Sequence, residues 1–170
     1  MRMMTKCALA ALALSAATVP ALAASDTGTA SVTILRPLTV TKNTDLRFGT
    51  VVEPSSGSAT VLIDTTGTGN RTTTLDTGGA PFGAADFTVA GEGAQAVTVS
   101  APASITITNQ TTTGTLTVTT STLNTGSQTL SGTFGTPGTL DVKVGGQITV
   151  QSTTNSGLYS GTFTVSASYN

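Results

Sequence analysis

Gly157-Leu-Tyr-Ser-Gly-Thr-Phe-Thr-Val-Ser-Ala-Ser-Tyr-Asn170 closes the chain and decides its fold class. Tyr159, Gly161, Phe163, Val165, Ala167 and Tyr169 fall at every second position, and Ser160, Thr162, Thr164, Ser166 and Ser168 fill the gaps. A period of two puts the larger side chains on one face of a strand and the hydroxyls on the other. Such a strand has to complete a sheet, either its own molecule's or another's.

Upstream the same alternation recurs in short pieces. Leu140, Val142 and Val144 alternate, and Gly145-Gly146 separates them from Ile148 and Val150, which predicts a hairpin. Leu116-Thr-Val118, Ile105–Thr108, Val97–Ser100, Asp86–Ala90 and Ala59–Asp64 read as further strands. Leu46 to Val52 reads as an extended element closed by Pro54, and Leu38–Thr41 as a strand after Pro37. Ala30, Val32 and Ile34 alternate just before that proline. Thr65 to Ala85 reads as a long loop or loose hairpin, and Asn124 to Pro137 as irregular chain anchored by Leu130 and Phe134. Nothing has helical periodicity. The expectation is an all-β, antiparallel β-sandwich of immunoglobulin-like topology with about 7–9 strands.

The beginning of the chain reads as an export signal. Arg2 and Lys6 precede the apolar run Cys7 to Val19, and Ala21-Leu22-Ala23 has the form of a cleavage site. Residues 1–23 are therefore expected to be a signal peptide, 24–36 an N-terminal extension, and 37–170 the domain. The apolar run is too short to span a bilayer stably, and no later stretch is long enough to do so. An exported protein without a transmembrane helix in its mature form is expected.

Of seven basic residues, Arg2 and Lys6 lie in the leader, leaving five against eight acidic ones, a net charge of −3. That balance argues against nucleic acid as a partner. The only Cys and all three Met also lie in the leader, and the chain has no His and no Trp. Disulfides, nucleophile–base pairs built on His or Cys, and imidazole or thiolate zinc sites are thereby excluded from the mature chain. No cofactor motif is present, and the expectation is a protein that is not an enzyme. Threonine is the commonest residue and suits exposed strand faces.

Four weaker signals remain. Asp76-Thr77-Gly78 matches the aspartic-protease triplet, but the chain has one copy in a Thr/Gly setting, which reads better as a turn. Asp64, Asn70 and Asp76 are oxygen donors without a calcium-loop spacing. Lys42 and Lys143 are candidates for an isopeptide bond to Asn or Asp. Asn70-Arg-Thr72 and Asn109-Gln-Thr111 match the glycosylation pattern by chance.

Pro37-Leu-Thr-Val-Thr-Lys-Asn-Thr-Asp-Leu-Arg-Phe-Gly-Thr-Val-Val-Glu-Pro54, Ala85–Gly91 and Gly138–Val150 with the final strand resemble a family of bacterial secreted β-domains, domain of unknown function 4402. More distantly, the C-terminal strand resembles that of chaperone–usher pilins and spore-coat U-like proteins. Gly157 is fourteenth from the end and Tyr169 next to last, as is typical there. That resemblance implies a sandwich lacking one strand, completed by an N-terminal segment of another subunit. Ala30, Val32 and Ile34 would be the inserted side chains, and the strand carrying Gly157, Tyr159, Gly161, Phe163, Val165, Ala167 and Tyr169 would border the gap. It implies copies of the chain or related fibre subunits as partners, with a periplasmic chaperone and an outer-membrane usher, and a final location on the cell surface. The competing expectation is a monomeric secreted adhesin or matrix-binding module, in which residues 30–35 complete their own sheet.

Overall fold

The computed structural model describes residues 23–66, 71–75 and 81–170. Two units are distinguished, Met1–Thr33 and Ile34–Asn170. In the first, residues 23–33 enter no strand and every one of them is exposed. Most of the expected signal peptide, residues 1–22, lies outside the described residues.

The second unit is all-β, with no helix among its described residues. Its strands are β1 (Thr39–Thr44), β2 (Ser58–Ile63), β3 (Arg71–Thr73), β4 (Ala85–Glu92), β5 (Ala96–Ser100), β6 (Ser104–Asn109), β7 (Thr115–Leu123), β8 (Gly126–Thr129), β9 (Pro137–Gln151), β10 (Tyr159–Ser160) and β11 (Ser166–Tyr169). All pairings between them are antiparallel. One sheet of eight strands has the order β1-β4-β9-β7-β6-β10, with β2 on β9 and β3 on β2. The other has three, in the order β11-β5-β8.

The long strand β9 organises the larger sheet. One flank carries β4 along Pro137–Val144 and then β2 along Gly146–Gln151, while β7 runs against Lys143–Gln147 on the other flank. The hairpin expected at Gly145-Gly146 does not form. Val142, Val144, Gly146, Ile148 and Val150 stay inward without a break in register. The glycines answer close packing instead of a turn. A Cβ on Gly145 would collide with the Ile63 carbonyl oxygen, and one on Gly146 would come within 2.6 Å of Val118 Cγ1.

The strands exceed the expected number for local reasons. Short β3 and β8 form in the stretches read as loop, and the C-terminal run divides in two. Conversely, Leu46 to Val52 forms no strand, and Arg47 makes an isolated bridge to Gly83. Of the two anchors expected between Asn124 and Pro137, Leu130 is fully buried, whereas Phe134 is 57% exposed.

The core divides into two clusters. The first joins both sheets: Phe87 and Val89 of β4 and Val142 of β9 meet Val97 and Val99 of β5, with Leu130 and Val165 beside them. The second comprises Val61, Ile105, Val118, Ile148 and Val150, all from the larger sheet. Its partly buried neighbours are Leu46, Phe48, Val51, Leu75, Ile107 and Phe163. The small sheet thus covers one half of the large one, and the other half is covered by irregular chain.

Candidate functional site

The alternation of the C-terminal run survives in three dimensions. Tyr159, Phe163, Val165, Ala167 and Tyr169 are buried or half-buried, while Ser160, Thr162, Thr164, Ser166 and Ser168 are exposed. Gly161 is exposed as well. The run does not form one continuous strand. Tyr159 and Ser160 pair with Asn109 and Thr108 of β6, and Ser166–Tyr169 pair with Ser100–Val97 of β5. The run therefore leaves the edge of one sheet and joins the edge of the other.

Gly157 and Gly161 have separate physical reasons. Gly157 has φ +145°, and a Cβ there would lie 2.6 Å from Asn109 Oδ1. Asn109 is buried and fully used. Its Nδ2 donates to the Ser156 carbonyl at 3.1 Å, and its Oδ1 accepts from the N–H groups of Thr111 and Thr112 at 2.8 and 2.9 Å. The Tyr159 hydroxyl donates to the Asn155 carbonyl at 2.8 Å. Together they fix the turn that starts the run. At Gly161 a Cβ would strike the Thr106 carbonyl oxygen, so the chain can cross β6 this closely only as glycine. Asn109, expected to be a chance glycosylation match, is a structural residue.

Between the two paired ends, Gly161–Val165 enters no strand. Among the described residues, its main-chain groups pair with no other main-chain group. One flank of this open run faces a cavity of about 950 Å³. The floor is the half of the large sheet that the small sheet leaves uncovered, with Ile105, Val118, Ile148 and Val150. Phe48 and Val51 form one wall, and Tyr159, Gly161 and Phe163 the other. Phe163 also packs edge-on against Phe87, with ring centroids 5.8 Å apart. Arg47 and Glu53 are the charged residues that line this groove, whose rim also carries Thr50, Thr154, Asn155 and Ser156 around the apolar floor. Five consecutive unpaired peptide units beside an apolar trough can receive an added strand: the main chain would supply the ladder and the trough would take alternate side chains.

The other candidate residues are placed as follows. Val32 is 81% exposed and Ile34 80% exposed, Ala30 is exposed too, and none of the three lies in a strand. Lys42 bonds to Asp45 at 2.6 Å, and Lys143 pairs with Asp86 at 3.2 Å across β4 and β9. Asp64 accepts the Thr66 N–H at 3.1 Å, whereas Asn70 and Asp76–Gly78 lie outside the described residues. Among the described residues, no group of three or more acidic, His or Cys side chains could hold a metal ion, and no helix is long and apolar enough to cross a membrane.

One cluster escapes sequence reading altogether. Glu92, at the end of β4, is 2% exposed. Its Oε2 receives Arg36 Nη1 at 2.7 Å, and its Oε1 receives the Gly135 N–H at 2.5 Å. The Tyr169 hydroxyl accepts the Glu92 N–H at 2.6 Å and donates to the Arg36 carbonyl at 2.9 Å. Burial works against the charge of Glu92, but the Gly135 N–H and the Arg36 donors outweigh it and hold the carboxyl below its ordinary range. The available signal was a single carboxylate between Gly91 and Gly93 at the end of an apolar strand; its partner stands 56 residues away.

These features define an all-β domain of two antiparallel sheets whose C-terminal run leaves a stretch of open edge beside an apolar groove. The chain belongs to the family described as Domain of unknown function (DUF4402), whose model matches residues 38–169. No curated protein and no solved structure matches the chain.

Proposed function

We propose that the protein is a secreted bacterial structural subunit, without enzymatic activity, that assembles into a pilus-like surface fibre by donating a strand from one copy to the next. The observation that carries this reading is the open run Gly161–Val165 beside the apolar groove. The occupant is the segment around Ala30, Val32 and Ile34 of a neighbouring copy, whose exposed, alternating side chains match what such a trough takes. Residues 24–36 extend over roughly 40 Å at about 3.3 Å per residue, more than the open run requires. Burying Val32 and Ile34 contributes about 1.5–3 kcal/mol each. A donor that is covalently part of one subunit and seated in the next makes a head-to-tail contact that does not close.

The leader with its Ala21-Leu22-Ala23 site supports export to the periplasm and then to the surface. The positions of Gly157 and Tyr169 support immunoglobulin-like, pilin-type topology, with a periplasmic chaperone and an outer-membrane usher as assembly partners. The absence of His, and of Cys outside the leader, supports a structural role over catalysis. The test is the oligomeric state of the exported chain. SDS-resistant multimers that disappear in Ile34→Asp, with the fold intact, support the reading. A wild-type monomer at high concentration overturns it in favour of a monomeric adhesin or matrix-binding module.

A further inference from the structure

Resting on the strand-donation reading, we infer that Arg36 is a positioning residue that anchors the root of the donor segment to both sheets at once, so that tension along a fibre does not peel β1 away.

Every polar group of Arg36 but one guanidinium nitrogen has a defined partner. Its N–H points to Glu92 Oε2 at 3.4 Å, its Nη1 meets the same oxygen at 2.7 Å, and its Nη2 donates to the Gly135 carbonyl at 2.9 Å. Its carbonyl receives the Tyr169 hydroxyl at 2.9 Å. Pro37 follows, which restricts Arg36 to extended backbone and fixes the direction in which the chain leaves. The next residue upstream on the apolar face, Ile34, is 80% exposed. Leu35 is still half-buried, so the contacts that the domain makes with this segment end at Leu35 and Arg36.

Without this anchor the first element to receive tension is β1. It is an edge strand, paired with β4 alone, and all six of its residues are exposed. Its register is already irregular between Lys42 and Thr44. An edge ladder pulled from its end opens one bond at a time. Arg36 diverts the pull. Through Glu92 it reaches β4 of the large sheet, and through Tyr169 it reaches β11 of the small one. Opening β1 then requires separating a guanidinium from a buried carboxylate first, which leaves that carboxylate with the Gly135 N–H but without its cation. The guanidinium places donors on two separate nitrogens, one on Glu92 and one on Gly135, a planar spread that the single ammonium nitrogen of a lysine does not reproduce.

The test uses the full chain as wild type, Arg36→Ala and Arg36→Lys, with Tyr169→Phe as a second variant that leaves the ion pair intact. Backbone ¹⁵N relaxation on the unassembled chain locates the residue at which rigid order begins. The wild-type boundary is expected at residues 35–36. In Arg36→Ala it moves into β1 and β1 amides exchange roughly tenfold faster, in line with loss of a charged hydrogen bond, while core amides of β4 and β9 do not change. Arg36→Lys falls between, and Tyr169→Phe shows a smaller shift in the same direction. On assembled material, Arg36→Ala multimers are expected to form but to dissociate faster in SDS. An unmoved boundary in Arg36→Ala overturns the anchor. A moved boundary in a chain that never multimerises overturns strand donation and leaves the anchor standing as a property of the domain.

Discussion

The Tyr169 hydroxyl donates to the Arg36 carbonyl at 2.9 Å, tying the penultimate residue of the chain to a residue three positions ahead of its first strand. The same oxygen accepts the Glu92 N–H, so three segments meet at one phenol. Gly91 lies beneath it, where a Cβ would displace the Tyr169 hydroxyl and come within 2.8 Å of Leu38 Cδ1. Gly91→Ala is expected to destabilise the domain by about 1–3 kcal/mol through overpacking, read as a lower urea midpoint. Tyr169→Phe keeps the ring and removes the hydroxyl, and is expected to cost about 1 kcal/mol.

Gly157 and Gly161 should fail on substitution for different reasons that one comparison separates. Gly157→Ala meets Asn109 with an unfavourable φ, and Gly161→Ala meets the β6 backbone. Both are expected to lose roughly 1–3 kcal/mol. Gly126 has φ +79° but open space where its Cβ would go, so Gly126→Ala should lose only about 1 kcal/mol. Thermal melts of the three variants check the order.

Phe163 touches both core clusters and stacks edge-on against Phe87. Phe163→Ala is expected to cost about 3 kcal/mol, and Phe163→Asp or Val165→Asp to prevent folding whether or not subunits assemble. Circular dichroism on the purified chains checks this. By contrast, Val32→Asp and Ile34→Asp change side chains that are about four-fifths exposed. Their melting temperatures should stay near wild type while multimers vanish from size-exclusion profiles.

Acid should loosen the Arg36–Glu92 contact, and the sign follows from the direction of the shift. The Glu92 carboxyl is lowered in the folded state, so its stabilisation is complete above the unfolded value of about 4.3 and is lost as pH falls through the folded value. Glu92→Gln should therefore be less stable than wild type near neutrality, and the difference should shrink as pH falls below about 4. Asp45 is also lowered, first by its hydrogen bond from Lys42 and then by that from Arg47. It is half exposed, so Asp45→Asn should change the melting temperature little. Melting curves between neutral and acid pH separate the two carboxylates.

Lys143 and Asp86 face each other in register on β9 and β4, and Asp86 Oδ1 is buried without a partner. Lys143→Met removes the cation and leaves the whole carboxylate short of partners. A loss of about 1–3 kcal/mol is expected, measured by urea unfolding.

The chain's alternation was enough to establish an all-β fold, and the positions of most strands, because side-chain period is a local property that neighbouring residues settle among themselves. Leucine, valine and isoleucine at β2, β4, β5, β6, β7 and β9 were legible for that reason. Local rules failed where a residue answers a distant one. Gly145-Gly146 has the composition of a turn, yet it lies inside a strand because Ile63 and Val118 press against it from other strands. Asn109 matched a surface motif, yet it is buried over Gly157.

The sequence by itself determined which face of Gly157–Asn170 is apolar. Only the tertiary structure decided that its two ends belong to different sheets, that Gly161–Val165 between them has no ladder partner among the described residues, and that the floor beside it is the half of the larger sheet that irregular chain covers in place of the small sheet. The reason is physical. Alternation is written in adjacent residues, whereas an open edge depends on which strands arrive beside it, and those come from segments far apart in the chain.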